Sequence, residues 1–284
     1  MHRLHPSFNW FHFKRRVRAL FDTNISTGID RAAAHEILFG KGPGSPARKA
    51  EAPRHTLSFF AAVAAALELG ALAWKEEGYE GLEAMREDGD AEPQVGKDGK
   101  RPRKAKAGKA SSGPASEGGR EALQHPDPAA LYALSRQALD IFEMFHPHDL
   151  DFLVAMDMQV LFLLHDGIPN ISSVVFPMVG KMVNVARAMG LAMDPDEFPS
   201  RYSLFEAETR RRIWWDVFYY DLFVSDCMGH PPLIADNSHT TKIPVSDVDE
   251  ERFVPESIEI PTCKEEDSSE SAVNSSTYLV LKCR

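Results

Sequence analysis

Cysteine is scarce in this sequence, which holds only Cys227, Cys263 and Cys283. Three distant thiols exclude a disulfide framework and a cysteine-built metal site, and they make a reducing compartment the default. Long apolar runs are missing too. The longest, residues 57–73, is interrupted by Ser58 and Glu68 and is shorter than the roughly 20 residues that cross a bilayer. It reads as a buried helix, and no membrane partner is expected. Residues 1–10 lack the apolar core of a secretory signal. Positive charge is in deficit, with 32 Lys and Arg against 42 Asp and Glu and a formal net charge of −10. The body of such a chain repels a phosphate backbone rather than collecting one.

Catalytic signatures are also absent. No glycine-rich phosphate loop follows a strand, and no Ser or Cys sits in a recognisable nucleophile elbow. The carboxylates near the C-terminus lie in polar surroundings rather than in the apolar pocket that tunes a general acid. No enzyme is expected. His146, His148 and Asp149 in FHPHDLD carry metal-binding atoms, but Pro147 separates the histidines and no further donor is placed by sequence. No metal or other cofactor is assigned to them.

What is present is helical periodicity. With 284 residues, 43% hydrophobic and 26% charged, the chain has enough apolar material for one large domain or two small ones. FNWFHFKRRVRALF, residues 8–21, suits an amphipathic helix with Trp10, Phe13, Val17 and Leu20 or Phe21 on one side. Its Lys14, Arg15, Arg16 and Arg18 form either a phosphate-facing stripe or an ordinary solvated face. A second short helix is expected over 30–39, followed by a Gly/Pro-rich loop in which Ser45 precedes Pro46 as a candidate phosphorylation site. Thr56 caps the Ala- and Leu-rich stretch that follows, apolar nearly all round and therefore internal to a bundle. A further amphipathic helix is expected after the Pro126-Asp127-Pro128 start, as far as Phe145, with Leu131, Leu134, Ala138, Ile141 and Phe142 at helical spacing, and others over 149–164, 171–189 and 204–228. Gly190 stops the third of these, Gly229 and Pro231 stop the last, and Pro177 either bends the third or marks its first turn.

The implied architecture is all-α, an irregular antiparallel helical bundle or array with long disordered loops. Four parts are expected: residues 1–55 as N-terminal helices and loop, 56–85 with 122–245 as the helical domain, 86–121 as a disordered insert, and 246–284 as an acidic tail ending in a helix cut short. The insert holds KDGKRPRKAKAGK, whose Lys100, Arg101, Arg103, Lys104 and Lys106 form either a nuclear-import cluster or a solubilising linker. Residues 246–270 mix acids with Phe253, Val254, Ile258 and Ile260, as acidic activation segments do, although an exposed irregular loop has the same composition.

The last helix is the most distinctive: EAETRRRIWWDVFYYDLFVSDCM, residues 206–228. Glu206 lies over Arg210 and Glu208 over Arg212 at i,i+4 spacing. Trp214, Phe218 and Phe223 share one side, and Ile213, Val217, Tyr220 and Val224 another, so neighbours must cover most of its surface. Asp221 falls inside this apolar zone, where a lone carboxylate is costly, and Arg187 is the expected partner.

Residues 185–244, with an arginine triplet at Arg210, Arg211 and Arg212, the aromatic pair Trp214 and Trp215, Asp221 six residues beyond Trp215, and the Gly229-x-Pro231 turn, closely resemble the fungal-specific transcription factor domain. This is the middle regulatory region of fungal zinc-cluster regulators. The resemblance implies an all-α regulatory module in the nucleus, with transcription machinery or co-regulators as partners. A small-molecule effector and a homodimer are further candidates. Where the family often has His after the Gly-Leu that follows the third helix, this chain has Ala192; where many members have Arg in the turn, it has His230. The family reads DNA through a six-cysteine cluster holding zinc, which three scattered cysteines cannot build. DNA binding is therefore expected only through a missing N-terminal cluster, and a truncated chain is the simplest account. The rival reading is a helical enzyme or metabolite-binding protein with no transcriptional role.

Overall fold

The computed structural model describes residues 8–27, 57–87, 127–165, 171–246 and 248–262. They form six α-helices: α1 (Trp10–Thr27), α2 (Leu57–Glu87), α3 (Pro128–Phe145), α4 (Leu150–His165), α5 (Phe176–Ala188) and α6 (Leu204–Met228). Strand pairing among the described residues is limited to one isolated antiparallel bridge, Val248 with Thr262. The all-α reading holds. The expected helix over 30–39, the loop with Ser45, Thr56, residues 88–121 with their basic cluster, and the C-terminal stretch from 263 lie outside the described residues.

The helix limits follow from local chemistry. Asp127 accepts the N–H of Ala129 at 3.3 Å, and Pro128 occupies the first turn, where a missing N–H is harmless. Asp149 caps α4 by accepting the Phe152 N–H at 2.9 Å, and its other oxygen takes the Ser58 hydroxyl at 2.7 Å. Pro177 lies in the first turn of α5 behind the π-turn Ile171–Val175, so it starts a helix rather than kinking one. α2 runs to Glu87, slightly into the stretch read as insert.

α4 is the centre of the bundle. Every residue of α4 from Phe152 to Leu163 is buried, because α2 covers one side and α5 and α6 the others. α3 packs on α2 along Ser135, Ala138, Leu139 and Phe142. That stripe is rotated from the expected one, and Leu134 and Ile141 are exposed. A polar residue explains the rotation. The Ser135 hydroxyl donates to the Ala61 carbonyl at 2.9 Å and accepts from Gln159 Nε2 at 2.7 Å, so one buried serine ties α2, α3 and α4 together.

α1 brings Phe13 and Leu20 into the core. Arg16 leaves the basic stripe: its guanidinium pairs with Asp151 at 2.8 and 2.6 Å and lies 3.8 Å from the Phe59 ring centroid. Lys14, Arg15 and Arg18 remain exposed. Beyond α6 the chain turns back irregularly along the helix. The exposed acidic stretch expected from residue 246 onward is instead packed as far as 262, with Val248 and Phe253 buried against Phe205 and partly buried Ile260. The packing is partial, since Ser246, Glu251, Arg252, Glu256, Ile258, Glu259 and Thr262 remain exposed. Asn9 closes the arrangement by donating to the carbonyls of Glu250 at 2.8 Å and Phe253 at 3.2 Å.

Candidate functional site

The residues singled out by sequence converge on α6 and the irregular segments around it. Ser203 accepts the Glu206 N–H at 3.2 Å and opens the helix. Gly229, at φ 67°, closes it, and the next N–H, that of His230, returns to the Ser225 carbonyl at 2.9 Å. A Cβ at that left-handed position would be strained, which accounts for glycine before Pro231.

Each arginine of the triplet holds a different piece of chain. Arg210 donates to Glu206 Oε1 at 3.1 Å, as the spacing predicts, and lies 4.1 Å from the Tyr202 ring centroid. Arg211 makes a two-pronged contact with Asp194, Nε to Oδ2 at 2.9 Å and Nη2 to Oδ1 at 2.8 Å, and touches Asp196 at 2.8 Å. Arg212, only 2% exposed, donates to Glu208 Oε1 at 3.3 Å and to Glu250 Oε1 at 2.6 Å. The triplet therefore clasps the α5–α6 connection on one side and the returning segment on the other. None of its members presents a free fork to DNA phosphates.

The carboxylates are themselves junctions. Asp194 also accepts the N–H groups of Asp196 at 3.0 Å and Lys242 at 2.8 Å. Burial alone would raise its pKa, but the Arg211 guanidinium and these backbone donors outweigh it and hold the carboxyl well below the usual range. The same contact with Asp194 raises Arg211 still further above its ordinary value. Glu208 Oε1 accepts the Val245 N–H at 2.9 Å. Glu250 differs, since burial pushes its pKa up and Arg212 offsets only part of that.

Asp221 does not pair with Arg187. Its oxygens accept the backbone N–H groups of Leu233 at 3.1 Å and Ile234 at 2.7 Å, while Arg187 Nη2 donates to the Leu233 carbonyl at 2.9 Å. Both residues grip one loop from opposite sides without meeting. Two amide donors satisfy a buried carboxylate as a cation would, which pattern reasoning from side chains alone overlooked.

Trp214 is fully buried; Trp215 is half-buried and its indole donates to the Lys242 carbonyl at 2.9 Å. His239 enters between them, its ring centroid 5.5 Å from Trp214, 5.3 Å from Trp215 and 5.6 Å from Phe218. Burial lowers the His239 pKa. Phe223, expected beside Trp214 and Phe218, is instead exposed and stacks on Tyr219. Ala192 uses its carbonyl to accept the Thr240 N–H at 2.8 Å, and the His230 ring lies 5.9 Å from Phe176.

Sequence reading missed Asp194, Asp196, His239 and Glu250. Asp194-Pro195 did carry a signal, since it repeats the Asp-Pro helix start of Asp127-Pro128. His148 bonds Glu143 at 2.8 Å and His146 stacks on Phe142, so the histidines near α4 serve α3 and its end.

Residues 158–281 match the family described as the fungal specific transcription factor domain. That segment is similar to this family. The similarity covers the second half of α4, all of α5 and α6, and the returning segment. Relatives agree. Over 75 residues the chain is 35% identical to the C6 finger domain transcription factor hasF of Aspergillus fumigatus, covering 26% of this chain and 10% of that protein. Over 110 residues it is 32% identical to the pyrrolocin cluster transcription factor fsdR of a fungal species, covering 39% of this chain and 14% of that protein. Over 141 residues it is 24% identical to multidrug resistance regulator 1 of Candida albicans, covering 48% of this chain and 13% of that protein. The matches thus span between 10% and 14% of these relatives' lengths. No solved structure matches the chain.

Proposed function

We propose that this chain is the regulatory region of a nuclear fungal transcription factor, restraining or licensing activation rather than reading DNA. The observation that carries the reading is the family match across α6, where every arginine of the triplet is engaged within the fold. A triplet so used has no side chain set aside for phosphate, and the net charge of −10 opposes DNA as well. DNA contact and its zinc are assigned to a six-cysteine cluster elsewhere in the full regulator. Transcription machinery or co-regulators are the partners, homodimerisation is compatible with the reading, and a small effector would act by favouring one helical arrangement over another. Nuclear entry is assigned to Lys100, Arg101, Arg103, Lys104 and Lys106. No catalytic role is proposed.

A reporter assay tests this. The chain is inserted between a heterologous DNA-binding domain and a strong activation segment, and expression is compared with an insert of unrelated helical protein. A change of about fivefold or more in either direction, reversed by Arg211→Ala, is expected. Equal expression from both inserts overturns the regulatory reading. A fluorescent fusion that stays nuclear after all five basic residues become Ala overturns the import assignment.

A further inference from the structure

Between α1 and the first turns of α4 and α6 lies a cavity of about 330 Å³. Its apolar walls are Phe8, Phe13, Leu150, Val154, Phe205 and Ile213. Its volume is at the lower end of small-molecule sites and suits a single ring with a short substituent. The three carboxylates on its lining are already engaged: Asp151 by Arg16 at 2.8 and 2.6 Å, Glu206 by Arg210 at 3.1 Å, and Asp149 by the Ser58 hydroxyl and the Phe152 N–H.

The unmet capacity is of a different kind. Arg16 also lines the cavity, and its Nε–H is buried without a hydrogen-bond partner among the described residues. His12 stands beside it, its ring centroid 4.9 Å from that of Phe205 in an edge-on arrangement. Burial, reinforced by the Arg16 charge, lowers the His12 pKa and keeps the imidazole neutral near pH 7, where it carries one donor and one acceptor nitrogen. Thr209 spends its proton on the Phe205 carbonyl at 2.8 Å and retains acceptor capacity. A guest is therefore met by apolar rings, one orphan donor and one ambivalent imidazole. An anion would face three carboxylates, and an ammonium would find each of them taken.

The geometry points to a binding site for a small uncharged phenol or comparable ring alcohol, its oxygen accepting from Arg16 Nε–H and its hydroxyl proton directed to His12. Whether such a guest acts as an effector rests on the regulatory reading above; whether it binds does not.

Occupancy is therefore measured on the purified full chain, without DNA or reporter, by ligand-observed NMR with 4-ethylphenol as probe and benzoate, benzylamine and toluene as comparisons. Saturable binding of 4-ethylphenol is expected, with a Kd on the order of 0.1–1 mM for so few atoms. Benzoate and benzylamine should bind at least about tenfold more weakly. Thr209→Met, which fills the cavity from α6, should abolish the signal while a thermal melt stays in place; Val154→Met serves the same purpose should Thr209→Met fail to fold. Arg16→Lys keeps the charge opposite Asp151 but removes the Nε–H, so it should weaken 4-ethylphenol about tenfold and leave toluene unchanged. Three results would overturn the site: no saturable binding up to about 10 mM, binding untouched by the folded filling variant, or benzoate or benzylamine binding as well as the phenol. Equal weakening of phenol and toluene by Arg16→Lys would overturn the assigned hydrogen bond.

Discussion

The α2–α3–α4 side and the α5–α6 side of this molecule are held together in different ways. On the first, Phe59, Phe152, Leu153 and Phe162 are essentially fully buried among apolar neighbours, and apart from the Ser135 link to Ala61 and Gln159 the attraction is non-directional. On the second, Arg211, Arg212, Asp194, Glu208 and Asp221 lock irregular segments onto α6 through bonds of fixed geometry. Volume is what the first side needs conserved. The second needs particular atoms, because a buried charge stripped of its partner costs more than the pair contributed.

The sharpest test sets one substitution in each half beside the other. Arg211→Ala leaves Asp194 buried with backbone donors only and should destabilise the fold by about 3–5 kcal/mol in urea titrations. Leu153→Ala should cost a similar amount, about 2–5 kcal/mol, through the cavity it leaves. The conservative variants separate the two. Leu153→Met should cost under about 1.5 kcal/mol, whereas Arg211→Lys cannot rebuild the fork and should recover less than half of the loss. Equal tolerance of both conservative changes would erase the contrast.

Next in size is Asp221→Ala. Freeing the Leu233 and Ile234 amides should cost about 1–3 kcal/mol and speed hydrogen exchange at those two positions. Pairing Asp221→Arg with Arg187→Asp should bring no rescue, since the two side chains do not touch; recovery of stability by the double swap would restore the ion pair expected from sequence.

Acidity offers a test within the polar half. Asp194 has a depressed folded pKa, so its stabilisation is complete above about pH 4, the unfolded carboxylate value, and is lost as pH falls below it. Glu250 runs the other way. Its folded pKa is raised, so the folded state takes up its proton more readily and gains stability as pH falls through that raised value. His12 and His239 have lowered values and withdraw stability as pH drops below about 6.5. Glu250→Gln should therefore reduce the loss of stability on the neutral side and leave the collapse below pH 4 intact, read as urea midpoints from about pH 3 to 8. A variant that instead shifts the acid limb would place the governing carboxylate at Glu250 rather than Asp194.

The smallest effect belongs to the surface of α6. Trp215→Phe keeps the ring against Phe218 and His239 but gives up the hydrogen bond to the Lys242 carbonyl, and should cost about 0.5–1.5 kcal/mol in the same titration. A larger loss would mean that the half-exposed indole belongs with the clamp.

The two halves also differ in how far they could be read in advance. Helix positions followed from periodicity and from Asp-Pro and Gly punctuation, and the i,i+4 pairs of α6 lay where their spacing put them. The rotation of α3 escaped because Ser135 is buried by hydrogen bonds, which an apolar pattern cannot register. Asp194 and Glu250 escaped because their partner Arg211 or Arg212 is reached across loops, and sequence separation in an irregular segment carries no period. Asp221 was rightly placed inside, but the search for a matching cation passed over main-chain amides, which any residue can supply.

The bonds from Asn9 to the carbonyls of Glu250 and Phe253 join positions 241 and 244 residues apart. During synthesis the first helix emerges long before its anchor exists. At ~5–20 residues per second, roughly 10–50 s pass before the ribosome delivers the other half of the clasp. Through that interval Phe13 can already settle on Phe59 of α2, but Asn9 waits for the two carbonyls that fix where α1 begins.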